Sequence, residues 1–201
     1  MKYNIMVIER EYASGGQEIG SKVAENLGIP CYGREILELA AKRKGTSPEY
    51  LESLEERATT SFLYSIYMLA NEFSAHDKTM PDTDSLYLAE SEVIRDIASK
   101  GPAIFIGRCA SHVLEGRKDV LRVFIHANKD YRKARAVQHY GVSLDTAEAV
   151  LRKFDKRRAN YYQSNTSRSW NDPNSYPIFL DSSALGIGSC AALLTQAMKG
   201  E

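Results

Sequence analysis

The sequence predicts a three-layer α/β fold, a mostly parallel sheet covered by helices on both faces. Three features predict it: short apolar runs alternate with amphipathic stretches, the runs are continuous as in strands buried on both sides, and the first passes into a helix through a glycine-rich turn. The chain has 201 residues, 43% hydrophobic and 26% charged, enough for one well-filled core with a helical insert or lid.

The first strand is "YNIMVIE" (3–9). Ile19, Val23 and Leu27 then recur every four residues, and Gly28 with Pro30 stops that helix. "IPCY" reads as a second strand and "REILELAAKR" as the helix after it. From about Lys44 to Lys100 the pattern is helical throughout, opened by Ser47 as N-cap with Pro48 at the first helical position. Phe62, Ile66, Leu69 and Phe73 make one apolar stripe, Ala89, Val93 and Ile97 another, with "HDKTMPDTDS" as the loop between. Tyr64, Tyr67 and Tyr87 are expected to pack against the sheet. Lys100-Gly101-Pro102 breaks the chain, and "AIFIG" and "VLRVFIHA" are strands flanking a helix around "RCASHVLEG". "KDYRKARAVQHY" is a helix; "SLDTAEAVLRKFDKRRANYYQ" is a longer one, with Ser143 as N-cap and Leu144, Ala147, Val150, Leu151 and Phe154 on its inner face. "YPIFLDSS" is the last strand and "GSCAALLTQAMK" the closing helix.

Charge and cysteine content narrow the function. Lys+Arg 26 against Asp+Glu 26 gives the whole molecule no attraction for nucleic acid or anionic lipid, so any anion site is local. Cys31, Cys109 and Cys190 are far apart, with no C-x-x-C pair and no histidine at ligand spacing, which argues against a disulfide framework or a zinc site and for the cytoplasm. No stretch approaches the roughly 18 apolar residues of a membrane span. A nucleic-acid patch at Lys156-Arg157-Arg158 with Tyr161-Tyr162 is the weakest reading, given the zero net charge.

The turn after the first strand, "EREYASGGQEIG", has the place and composition of a phosphate-cradling loop, but the G-x-x-x-x-G-K-[ST] pattern does not fit it directly. With Gly15 and Gly20 as the two glycines, barely two helical turns remain before Gly28. The preferred register puts Arg10 at the first glycine place, Gly15 at the last, Gly16 at the lysine place and Glu18 near the hydroxyl place, with a helix from Gly16 to Leu27. The lysine is then absent. Arg10 is the best substitute, since guanidinium holds phosphate bidentately; Lys22 lies too far along the helix. Glu18 offers hard oxygens to Mg²⁺. Arginines follow three strand ends, Arg10, Arg34 and Arg108, at the edge where open parallel sheets gather ligands. Arg132 and Arg135 lie three apart on one helix, and Arg157-Arg158 near the end of the next; together these guanidiniums are expected to converge on a polyphosphate.

Along nearly its whole length the chain resembles the cytidylate kinase-like proteins of the nucleoside monophosphate kinase superfamily, through "EREYASGGQEIGSKVAENLGIP", "YGREILELAA", "FIGRCA", "FDKRRANYY" and "LDSSALGIGS". The resemblance implies a three-layer P-loop NTPase-type fold with a mostly parallel five-stranded sheet. Core segments 1–43, 101–135 and 174–201 would carry a helical monophosphate-binding insert (44–100) and a helical lid (136–173). It implies ATP and Mg²⁺ as cofactors and a nucleoside monophosphate, CMP or dCMP by default, as acceptor. Ser14, Gly15, Gly16, Gln17, Glu18 and Ser183 would bind ATP and its phosphates, and Arg34, Arg108 and Arg158 the acceptor. Arg10, Arg132, Arg135 and Arg157 would act on the migrating phosphoryl group, with Asp155 orienting the lid arginines and Asp181, Ser182 and Ser183 near the donor base. The chain departs from the family pattern at Gly16, Glu18, Gly33, Ile106 and His126. Two alternatives stand beside the kinase: a catalytically impaired nucleotide-binding or regulatory protein, and a kinase for another small phosphate acceptor.

Overall fold

A computed structural model of the chain describes residues 1–47, 49 and 82–200. Five strands form one sheet: β1 (Ile5–Arg10), β2 (Cys31–Tyr32), β3 (Ala103–Ile106), β4 (Val120–His126) and β5 (Ile178–Asp181), in the order β2-β3-β1-β4-β5. Every pairing is parallel, as strands separated by helices require. Ile8 sits opposite Ile106, Arg10 opposite Ile125 and His126 opposite Asp181, so the strands end along one common edge.

β1 lies at the centre and is fully buried from Ile5 to Ile8, which explains its unbroken apolar sequence. Its side chains alternate between two cores. Ile5 and Val7 pack with α2 (Glu35–Lys44), α3 (Asp82–Lys100) and α4 (Ala110–Val113). Met6 and Ile8 pack with α1 (Gly16–Leu27) and the closing helix α8 (Ile187–Lys199). A third cluster of aromatic residues, Phe124, Tyr161, Tyr162, Trp170 and Tyr176, fastens α6 (Ala147–Thr166) and the chain after it to β4. α5 (Lys129–Tyr140) and the short α7 (Ser182–Leu185) follow β4 and β5 at the common edge.

The predicted helices Gly16–Leu27 and Lys129–Tyr140 form with those bounds. Two others differ. Ser143 does not cap α6: its hydroxyl pairs with that of Thr146, residues 143–146 make a turn, and the helix starts at Ala147. Leu144 is therefore 75% exposed, whereas Ala147 and Leu151 are buried as expected. The helix expected over 108–116 is only Ala110–Val113, because Gly107, Arg108 and Cys109 are all left-handed and delay its start. Of the expected insert, residues 48 and 50–81 lie outside the described residues, and with them the Phe62, Ile66, Leu69 and Phe73 stripe, Tyr64, Tyr67 and most of the "HDKTMPDTDS" loop. The stripe Ala89, Val93 and Ile97 does face the core from α3, and Tyr87 packs against it. Among the described residues no helix is long and apolar enough to cross a membrane.

The register of α8 is testable. Leu194 is 0% exposed and Leu193 is 47% exposed. Leu194→Ala should lower the unfolding free energy by about 2–5 kcal/mol, and Leu193→Ala by less than about 0.5 kcal/mol, in urea titrations.

Candidate active site

β1 ends at Arg10, five residues turn, and α1 begins. Gly15 is the N-cap in the left-handed conformation (φ 83), and no side chain caps the helix. The first-turn N–H groups and the positive end of the helix dipole therefore face the mouth of the turn. Gly15 and Gly16 are sterically required: a Cβ on Gly15 would lie 2.2 Å from the Ile187 side chain, and one on Gly16 would lie 2.6 Å from Arg10 Cβ and 2.8 Å from its Cγ. Arg10 thus fills the space where a side chain at position 16 would begin.

Helices α5 and α6 hold this turn through its backbone. Arg132 donates from Nε to the Tyr12 carbonyl (2.9 Å) and pairs with Glu11 (2.8 Å) and with Asp155. Asp155 in turn accepts the Tyr12 N–H at 2.7 Å. One turn further along α6, Arg158 donates to the Arg10 carbonyl (2.9 Å) and lies over the Tyr12 ring, which stacks on Phe154 with centroids 4.4 Å apart. Phe154, Asp155 and Arg158 present one helix face, as positions three and four apart do. Arg135 pairs with Glu18 in the first turn of α1 at 3.0 Å.

Four of the predicted site arginines, Arg10, Arg132, Arg135 and Arg158, are therefore brought together on residues 10–18. Arg108 turns to the fully buried Glu90 at 2.9 Å, whose other oxygen accepts the Tyr161 hydroxyl at 2.6 Å. Arg34 is the N-cap residue of α2, and Arg157 lies 5.5 Å over the Phe154 ring. Ser14 is buried with its hydroxyl on the Glu11 carbonyl, and Gln17 reaches toward Gly33. Ser183 accepts the Asn128 N–H, and Asp181 caps α7. Ser182 bonds the Ser14 and His126 carbonyls, tying the β5 end to the turn. His126 is a half-buried strand-end residue 5.0 Å from the Phe179 ring.

Of the acids around these arginines, Asp155 and Glu18 were singled out from sequence, whereas Glu9, Glu11 and Glu90 were missed. Glu9 is 3% exposed, its Oε2 accepts the Trp170 indole N–H at 3.3 Å, and its Oε1 is buried without a partner among the described residues. Burial pushes its carboxyl above the ordinary range, against Arg10, the Trp170 N–H, Arg158 and Ser111, which favour the anion. The available signal was a lone acid inside the apolar run "IMVIER". Among the described residues no group of three His, Cys, Asp or Glu side chains is placed to hold a metal ion. Glu18, 45% exposed at the turn, is a single carboxylate.

A fold of this order with its loop at the strand edge is that of the shikimate kinase-like P-loop kinases. Shikimate kinase from Acinetobacter baumannii, in complex with shikimate, matches with TM-score 0.53 at 11% identity, over 98% of this chain and 94% of that one. The Bacteroides thetaiotaomicron shikimate kinase gives 0.55 at 10% identity, over 97% and 98%. An uncharacterized protein from Eubacterium ventriosum gives 0.72 at 22% identity, over 98% and 99%. The model of the cytidylate kinase-like family matches residues 5–184, and the chain belongs to that family. No curated protein matches it.

Two measurements follow from the packing. Gly107 has φ 72, and a Cβ there would lie 2.1 Å from Arg10 Nη1. Gly107→Ala should cost roughly 1–2 kcal/mol in backbone strain alone. Its total cost should fall by at least about 0.5 kcal/mol in an Arg10→Ala background, which removes the clash but not the strain; a double-mutant cycle reads the difference. Glu9 has a folded pKa raised above its ordinary 4.5, so its contribution is fully present below that value and is lost as pH rises through the folded pKa. The stability of Glu9→Gln relative to the parent should therefore improve between pH 4 and pH 8 in thermal melts.

Proposed function

We propose that the protein is an ATP- and Mg²⁺-dependent phosphotransferase that acts on a nucleoside monophosphate, CMP or dCMP being the family default, in the cytoplasm. One observation carries this reading: guanidiniums from β1, α5 and α6 gather on the single turn at the N-terminus of α1. Phosphoryl transfer needs positioning and charge neutralisation with little covalent chemistry from the protein, and such a cluster supplies both.

In this reading the donor phosphates lie on the Gly15 and Gly16 backbone, flanked by Ser14 and Gln17, with Ser183 near the donor base. Arg10 provides the charge that lysine gives in relatives. Its side chain occupies the space beside Gly16, which supports that exchange. Arg135 leaves Glu18 for phosphate oxygens, while Arg132 and Arg157 face the migrating group. Arg34, Arg108 and Arg158 serve the acceptor. Glu18 fits a Mg²⁺ that takes one protein carboxylate and fills its remaining positions with water and phosphate, because it is half exposed at the first turn. The ion would neutralise charge on the transferring phosphoryl group.

A second reading, a nucleotide-binding protein of impaired catalysis, is favoured by Arg132, which is buried between Glu11 and Asp155 and already neutralised. A coupled assay over a panel of nucleoside monophosphates and sugar phosphates separates the readings, run beside ATP calorimetry. The kinase predicts turnover of at least one acceptor, and Arg10→Ala should lower kcat on the order of 10³-fold. ATP binding without turnover on any acceptor would leave the second reading.

A further inference from the structure

Beyond that reading, we propose that a separate polar cavity beside β4 is a binding site for a compact oxyanion, the carboxylate or phosphate group of a small metabolite. The cavity has a volume of about 190 Å³ and is lined by Arg122, Arg168, Ser111, Tyr162, Asn174, Ser175 and Glu115, each with a polar group. Its Arg122 wall is set back from the strand edge that carries the phosphate turn. Arg122 stands opposite Val7 in the middle of the sheet, four residues or about 13 Å before the end of β4.

Arg122 carries the inference. Guanidiniums are rarely placed against the middle of a sheet, because the desolvation is costly without partners. Its Nε is nonetheless buried with no hydrogen-bond partner among the described residues. Buried donors in folded proteins are paired in the great majority of cases, so an unpaired one beside a polar cavity points to a group supplied from outside the chain. Its neighbours narrow the chemistry. Arg168 brings a second guanidinium and holds Glu115 at 2.6 Å, so two positive charges and one negative leave the cavity cationic and select an anion. The Ser111 and Tyr162 hydroxyls bond each other at 3.1 Å on one wall and leave one proton between them for a ligand oxygen, and the Asn174 amide, which gives one N–H to Asp172 at 3.0 Å, has its second N–H to offer. The space far exceeds the roughly 10–15 Å³ that one water needs and falls short of the ~300–1,000 Å³ of drug-sized sites, which sets the ligand as compact.

The test is NMR of the arginine Nε–Hε groups in the full chain, with Arg122 assigned from Arg122→Lys. Inorganic phosphate and malonate are titrated separately at constant ionic strength. The Arg122 resonance should move and saturate with at least one of them; a response to phosphate alone assigns a phosphate ester, and to malonate alone a carboxylate. Asn174→Asp places a carboxylate on the exposed rim in exchange for an amide that donates to Asp172 at 3.0 Å, and, in protein whose melting temperature matches the parent's, should weaken binding roughly tenfold. A linear shift without saturation, shifts confined to the Gly15 and Gly16 amides, or binding indifferent to Asn174→Asp would overturn the assignment. None of these readings depends on turnover or on ATP, so the result stands apart from that of the kinase assay.

Discussion

The ion pair between Arg132 and Asp155 closes over the Tyr12 peptide, and the site depends on that closure. Within the turn between β1 and α1, Ser14 N–H reaches the Glu11 carbonyl, while the Tyr12 N–H and carbonyl find their partners on other elements, as buried peptide groups demand. Asp155 takes the Tyr12 N–H and Arg132 the Tyr12 carbonyl, one from each of two consecutive helices. A buried pair of this kind adds little net stability, yet losing one partner strands the other charge. Its structural effect is to fix the turn and both helices relative to each other, which is what positions Arg135 and Arg158.

Charge compensation is the second theme. The molecule is neutral overall, and around the strand edge cations are held by carboxylates: Arg108 has Glu90, Arg132 has both Glu11 and Asp155, Arg135 has Glu18. Partly buried cations held by carboxylates keep their geometry by themselves, and any anion that reached them would compete with a carboxylate rather than meet a bare field. The pairs also differ in how easily they are exchanged. The Arg135–Glu18 pair is the more open on its acid side, whereas Glu90 is wholly enclosed and Arg108 with it is nearly so.

Much of the fold was legible in the sequence because it rests on local signals. Continuous apolar runs place β1 to within two residues, and Gly28 as a helix stop with the four-residue spacing of Ile19, Val23 and Leu27 specifies α1 to the residue. The start of α6 was not, because Ser143 and Thr146 satisfy each other and make a turn where a cap was expected. Arg10 was legible as a residue following a strand end, and Arg132 and Arg135 as a pair three apart on one helix. Glu9 and Glu90 were not, since they are read as surface residues by type, and only the packing of β3, α3 and the Trp170 segment encloses them.

The mutual fit of Arg10 and Gly16 couples the two positions as targets of substitution. Because the first two carbons of the arginine occupy the volume in which a residue at position 16 would grow, no larger residue enters there without displacing the arginine stem. Any replacement at one position is therefore judged by the other, and a variant that enlarges residue 16 is accommodated only together with a shortened residue 10.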